Sequence, residues 1–281
     1  MRHLLKTTVL AFAACATVAA VAQSLDTDVP FVTTPPAVTR AMLELARVGP
    51  DDYLIDLGSG DGRIVILAAR QHGARGLGVE IDPQLIAQSR ANAEAAGVAA
   101  RVEFRDEDLF KTDLSRASVI TMYLLPDVNL LLRPKLLDLK PGTRIVSHDW
   151  DMGDWQPDAP LTVPAPEKTL GLERTSRVML WTVPARVDGI WCSRAHPRQA
   201  LTLKQHYQRV EGQLAAAIPR RYSATLDGAM LTFGDGGTAR LVGQKLVVDA
   251  PAALAGRWTR SDHACGARKG IKRGAATMPH V

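Results

Sequence analysis

The residues best able to do chemistry stand together as Asp56-Leu57-Gly58-Ser59-Gly60-Asp61-Gly62. The apolar run Tyr53–Leu57 delivers an acid, glycines follow at alternate positions, and a helical pattern begins at Arg63. Glycine lets a backbone turn sharply and come close to a ligand. The start of the helix beyond offers free N–H groups. Spacing narrows the ligand. A dinucleotide loop wants G-x-G-x-x-G around a pyrophosphate. Here the third glycine, Gly62, comes one position early, and Arg63 stands where that pattern needs glycine. Two more acids end strand-like runs. Glu80 closes Gly76–Glu80, 18 residues past Gly62, and Asp108, followed by Leu109, comes after Val102–Phe104. Three acids thus end successive strand–helix units in register. The plain alternative is that Asp56, Glu80 and Asp108 only cap helices.

The Asp-x-Gly-x-Gly-x-Gly form resembles motif I of the S-adenosyl-L-methionine (SAM) methyltransferases. Residues 29–155 are similar to a subgroup that holds the mitochondrial lysine methyltransferases of the ATP synthase c-subunit and the adenine nucleotide translocase, with bacterial relatives. The matching pieces are Val29-Pro30-Phe31-Val32-Thr33-Thr34-Pro35, Asp56–Val65, Asp108-Leu109-Phe110 and Tyr123-Leu124-Leu125-Pro126. The resemblance covers under half the chain and does not reach residues 187–281. It implies an α/β, Rossmann-like seven-strand sheet with helices on both faces, SAM as cofactor, and transfer of a methyl group, with a protein lysine amine as acceptor. It implies Asp56, Gly58, Ser59 and Gly60 around the amino acid end of SAM. Glu80 would accept both ribose hydroxyls, and Asp108, with Leu109, would meet the adenine edge. No metal site is expected.

An acceptor should lie beyond the carboxyl ends of the fourth and fifth strands. Met122-Tyr123-Leu124-Leu125-Pro126 lacks the Asp/Asn-Pro-Pro-Tyr of the nucleobase amino methylases, which counts against a nucleic acid. The fifth strand runs into His148-Asp149-Trp150-Asp151-Met152-Gly153-Asp154-Trp155. Acids attract an ammonium, indole faces hold it by cation–π contact, and Asp149 or His148 could take its proton. The plain reading is an Asp/Gly turn with two packing tryptophans. Tyr123 lines the cofactor pocket, faces the acceptor or packs in the core. The alternatives to a protein lysine are a small molecule or RNA as acceptor, or a non-catalytic exported protein that binds SAM or a nucleoside.

These residues need a frame. Pro36–Val48, Arg63–His72, Pro83–Ala96 and Asp127–Leu139 read as helices. Strands are expected at Tyr53–Leu57, Gly76–Glu80, Val102–Phe104, Val119–Tyr123, Arg144–Ser147 and Arg177–Val183. Such alternation means a parallel sheet covered on both faces. Residues 149–175, with four prolines, read as a long irregular segment. After Pro184 the texture changes to short β runs, including one at Leu201–Arg209, separated by turns such as Asp227-Gly228. That is an antiparallel meander, closed or folded on itself. Gly189-x-Trp191 echoes the lipocalin opening, but 74 residues look too few for that barrel, and Trp191 reads as a core aromatic. The expected divisions are 29–184 for the methyltransferase, 187–260 for a small β-domain and 261–281 for a disordered basic tail.

The ends carry the charge. The chain has 281 residues and a net charge of +5. Residues 1–22 contribute +2, residues 261–281 contribute +3, and the body between sums to zero, so no basic folded face is expected. Arg2 and Lys6, the uncharged Thr7–Ala22 and the small-x-small site Ala20-Val21-Ala22 make a secretory signal or a retained anchor. Membrane contact would come through this segment, in an exported, periplasmic or anchored protein. Export conflicts with a cytosolic supply of SAM. It also leaves Cys192 and Cys265 in a compartment that permits a bridge, or else as two unrelated thiols.

Overall fold

The computed structural model describes residues 31–168 and 173–266. Helices α1 (Pro36–Leu45), α2 (Arg63–His72), α3 (Pro83–Ala95) and α4 (Pro126–Leu137) alternate with strands β1 (Tyr53–Leu57), β2 (Arg75–Glu80), β3 (Val102–Asp106), β4 (Val119–Met122) and β5 (Arg144–His148). Helix boundaries follow local chemistry. Pro83 opens α3, Asp82 accepts a hydrogen bond from the Gln84 N–H at 2.8 Å, and Gly97 lies just beyond with φ +70°.

Strands β6 (Ala159–Pro164) and β7 (Thr175–Thr182) complete a seven-stranded sheet of order β3-β2-β1-β4-β5-β7-β6. β1 pairs in parallel with both β2 and β4, so the connections leave in opposite directions there. That switch point is where such sheets hold ligands. Within the segment expected to be irregular, β6 pairs antiparallel with β7, from Ala159↔Leu180 to Pro164↔Thr175. It is an edge strand with Pro160 and Pro164, which sheets tolerate only at edges. Its prolines hid it in the sequence.

Strands β8 (Gly189–Ser193), β9 (Ala200–His206), β10 (Arg209–Ala215), β11 (Arg220–Asp227), β12 (Met230–Phe233), β13 (Thr238–Val242), β14 (Lys245–Val248) and β15 (Gly256–Ser261) close into a barrel. The single run expected at Leu201–Arg209 is two strands, because the chain reverses at Tyr207-Gln208, with Tyr207 at φ +51°. Eight strands of four to eight residues close the expected meander on itself within this length. The interior is filled by Trp191, Trp258, Leu201, Leu231, Phe233 and Leu246. Both indoles donate to the carbonyl four residues back, Val187 at 2.8 Å and Leu254 at 2.7 Å.

The Tyr207-Gln208 turn docks the barrel on the sheet. Tyr207 stacks on Trp155 with ring centroids 5.9 Å apart. The Gln208 amide donates to the Gln156 carbonyl at 2.7 Å and to Asp158 Oδ1 at 2.9 Å. Gly228 sits so near Gly142 that a Cβ would lie 3.1 Å from its Cα. These contacts reach the start of β5 and β6 and the end of β7, opposite the edge where β1, β2, β4 and β5 end. Cys192 and Cys265 are bridged. The described chain therefore continues past Ser261, into the stretch expected to be a disordered tail. The remainder of that tail and residues 1–22 lie outside the described residues.

Candidate functional site

β1, β2 and β4 deliver their carboxyl ends to one place. Past β1 the chain turns through Gly58, Gly60 and Gly62, at φ +72°, +54° and +78°. Only glycine adopts such angles at little cost. A Cβ on Gly60 would fall 2.3 Å from the Phe31 ring, and one on Gly58 would fall 2.9 Å from the Leu124 side chain. The turn is thus pressed between the chain before α1 and the end of β4.

Glu80 holds this turn from the side. Its Oε2 accepts from the Gly60 N–H at 3.0 Å, and its Oε1 accepts from Ile81 at 2.8 Å and Asp82 at 3.2 Å. A carboxylate offers about four acceptor positions, so roughly one, on Oε2, stays open. Asp108 stands past β3. Its Oδ1 accepts from the Phe110 N–H at 2.9 Å, which holds its carboxyl below the usual range. Leu109 beside it is half-buried.

Asp56 is not an open contact. It is 2% exposed beneath the turn, with Oδ1 accepting from the Thr121 hydroxyl at 2.6 Å. Its Oδ2 has no partner among the described residues, nor has the buried Ser59 hydroxyl. Burial pushes the Asp56 carboxyl up to about 8, against the Thr121 bond, with Glu80 and Asp61 adding to the rise. Two orphaned buried polar atoms under a cradle of positive-φ glycines fit a ligand that carries a cation to this turn.

At the end of β5 the expected cluster divides. His148 is fully buried, its Nε2 2.8 Å from the Ser176 hydroxyl and its Nδ1 3.3 Å from that of Thr34. Burial brings its imidazole down to about 4, so it is neutral near pH 7. Both ring nitrogens are engaged by hydroxyls, which hold its orientation. The half-buried Tyr123 packs on it, ring centroids 3.8 Å apart, and burial raises the phenol. Asp149, at φ +62°, accepts from the Arg177 N–H at 2.9 Å through Oδ1, while Oδ2 lies 2.7 Å from Lys168 Nζ and 3.5 Å from His148 Nε2. Trp150 is exposed. Asp154 and Trp155 do not join this group. Asp154 binds Arg133 and the Tyr207 hydroxyl, and Trp155 is buried against Trp181 and Tyr207.

Sequence reasoning missed Thr34, Lys168 and Ser176. Thr34 lay within a quoted stretch, yet nothing marked its role. Its hydroxyl meets His148, and its carbonyl accepts from Arg63 at 2.9 Å. Arg63 in turn pairs with Asp61 at 2.6 Å. The residues before α1 therefore join the glycine turn to the end of β5.

The profile of the ANTKMT methyltransferase domain matches residues 56–159. A protein-lysine N-methyltransferase of Saccharolobus islandicus is 47% identical over 131 residues, 46% of this chain and 81% of that protein. The adenine nucleotide translocase lysine N-methyltransferase of mouse is 40% identical over 134 residues, 47% of this chain and 58% of that protein. A solved structure described as an RNA methyltransferase of Salinibacter ruber, with S-adenosyl-L-homocysteine bound, is 55% identical. It covers 56% of this chain and 96% of its own, with a TM-score of 0.50. The chain thus spans most of the archaeal and Salinibacter proteins and little over half of the mouse one.

Proposed function

The chain belongs to the ANTKMT methyltransferase family, and on that premise we propose how its site divides the work and that its acceptor is a lysine side chain of a protein. It is a SAM-dependent N-methyltransferase. SAM, when bound, supplies a methyl group on a positive sulfur, open to in-line displacement. In this reading the turn Gly58–Gly62 takes the amino acid end, the open position on Glu80 Oε2 takes a ribose hydroxyl, and Asp108 and Leu109 border the adenine. Asp56 stays beneath the turn as a buried acid that ionises when a cation arrives above it. The observation that carries the reading is the glycine turn, held by Glu80 at 3.0 Å over the orphaned Asp56 oxygen.

The acceptor side is built from Tyr123, Asp149 and Trp150. Trp150 offers an exposed ring to an ammonium. The amine must give its proton to solvent before it reacts, and a like charge nearby favours the neutral form. Lys168, 2.7 Å from Asp149, is that charge. It also occupies the carboxylate, so Asp149 orients while His148 and Ser176 hold the arrangement.

An RNA acceptor is the second reading, favoured by the name of the Salinibacter relative. The apolar Leu124-Leu125-Pro126 argues against it, since it offers no side chain to a base edge. We also propose that residues 1–22 direct export or anchor the chain. The Cys192–Cys265 bridge supports this reading. Mass spectrometry of the native chain should find Gln23 at its start if the segment is cleaved. A cytosolic protein beginning at Met1 would refute export.

Calorimetry of the full chain with SAM tests the cofactor reading. Glu80→Ala should weaken binding by about 10- to 150-fold, as loss of charge-assisted bonds of roughly 1.5–3 kcal/mol implies. Undiminished affinity would remove Glu80 from the site.

A further inference from the structure

The zero net charge of the body hides two opposite halves. Residues 187–266 hold ten Lys and Arg against six Asp and Glu, net +4. Residues 31–186 hold eighteen against twenty-one, net −3. All ten cations of the barrel are exposed. None forms an ion pair among the described residues. Arg260 spends its donors on the carbonyls of Arg186 and Asp188. The other nine find no side-chain hydrogen-bond partner there.

Five of the ten gather on one rim. Strands alternate direction around the barrel, so its turns fall on two rims. One rim holds the Tyr207-Gln208 and Gly228 turns and is docked on the sheet. The opposite rim holds the turn 194–199 between β8 and β9 and the turn 216–219 between β10 and β11. Arg194 and Arg198 stand on the first, and Arg220 and Arg221 follow the second. Arg257 joins them, its carbonyl accepting from the Arg194 N–H at 3.0 Å. From β8 to β11 is three strand spacings, about 15 Å, so these groups act as one positive field. The acids of this rim are Asp235 and Asp249.

Two further features share the rim. Ile218, at the tip before Pro219-Arg220-Arg221, is 70% exposed, the highest among the exposed large apolar side chains described. The disulfide returns the chain from β15 to this rim, where a Cβ on Gly266 would lie 3.5 Å from Arg198 Cγ. From there the sequence continues with Arg268, Lys269, Lys272 and Arg273.

We infer that this distal rim docks on a bilayer of anionic lipids. Guanidinium groups meet the headgroup phosphates while the Ile218 tip enters the interfacial layer. A single-stranded nucleic acid fits less well. Such sites stack bases on open aromatic rings, and no Trp, Tyr or Phe of the described barrel is exposed.

Co-sedimentation of the full chain with phosphatidylcholine vesicles, with and without phosphatidylglycerol, tests this. The expected result is binding that phosphatidylglycerol strengthens and salt weakens. R198E/R220E/R221E should lose that gain, by about fivefold for each charge removed. I218S should weaken binding and keep its salt dependence. SAM affinity should stay at the wild-type value in each, since the rim lies far from the glycine turn. Should the reversal variant fail to fold, R194Q/R198Q/R257Q gives the same readout. Equal binding to both vesicle types, or a phosphatidylglycerol gain that survives these changes, would overturn the inference. So would an RNA competitor that strips the protein from the vesicles.

Discussion

Asp56 shows how one residue can be legible by position and misread by role. The sequence places an acid before the glycines; only the packing of Thr121 and Gly78 around it reveals a buried carboxyl. Its raised value has a consequence for stability. Below about 4 both folded and unfolded chains keep this proton. Between about 4 and 8 the unfolded chain releases it while the folded chain holds it, so Asp56 costs increasing stability as pH rises through this window. Asp56→Asn cannot ionise. Denaturant unfolding without ligand should therefore show the variant gaining on wild type from pH 5 to pH 8, even though it binds SAM more weakly. A constant difference across that range would mean that Asp56 is ionised in the free protein. His148 works in the opposite sense. Its folded value of about 4 lies below the unfolded 6.5, so its contribution is present above pH 6.5 and fades as pH falls.

At the scale of elements, the parallel strands were readable because apolar runs and acidic ends repeat in step. Tyr53–Leu57 and Glu80 emerge where composition put them. β6 was not readable, since prolines mask an edge strand whose pairing comes wholly from β7. The division at Tyr207-Gln208 was equally hidden, because a turn without glycine or proline carries no local signal. The chain before α1 is the least predictable functional element. Phe31 and Thr34 act through residues distant in sequence, and no spacing rule reports that. Thr34→Val keeps the carbonyl that Arg63 uses and removes the hydroxyl facing His148. Turnover should fall about two- to tenfold, the range of one neutral hydrogen bond of 0.5–1.5 kcal/mol. The SAM dissociation constant should hold within twofold. Weaker SAM binding at unchanged turnover would place Thr34 in cofactor binding instead.

The whole molecule sets a ligand-binding sheet on a packed barrel that bears no part of the glycine turn. Its basic character escaped composition because the acids of the sheet cancel it. The bridge spans 73 residues of sequence, and cross-links of this length stabilise by about 2–5 kcal/mol. Reduction should therefore lower the barrel's unfolding midpoint in denaturant while leaving SAM affinity intact; an unchanged midpoint would show that the closed strands alone suffice. Methyl transfer from SAM to protein lysine is the step to test. The direct measurement supplies tritiated SAM to the purified full chain with extract of its own organism, then separates protein, RNA and small molecules. Label is expected in protein, recovered as methyl-lysine after hydrolysis and lost with Glu80→Ala. Label confined to RNA or to small molecules would contradict it.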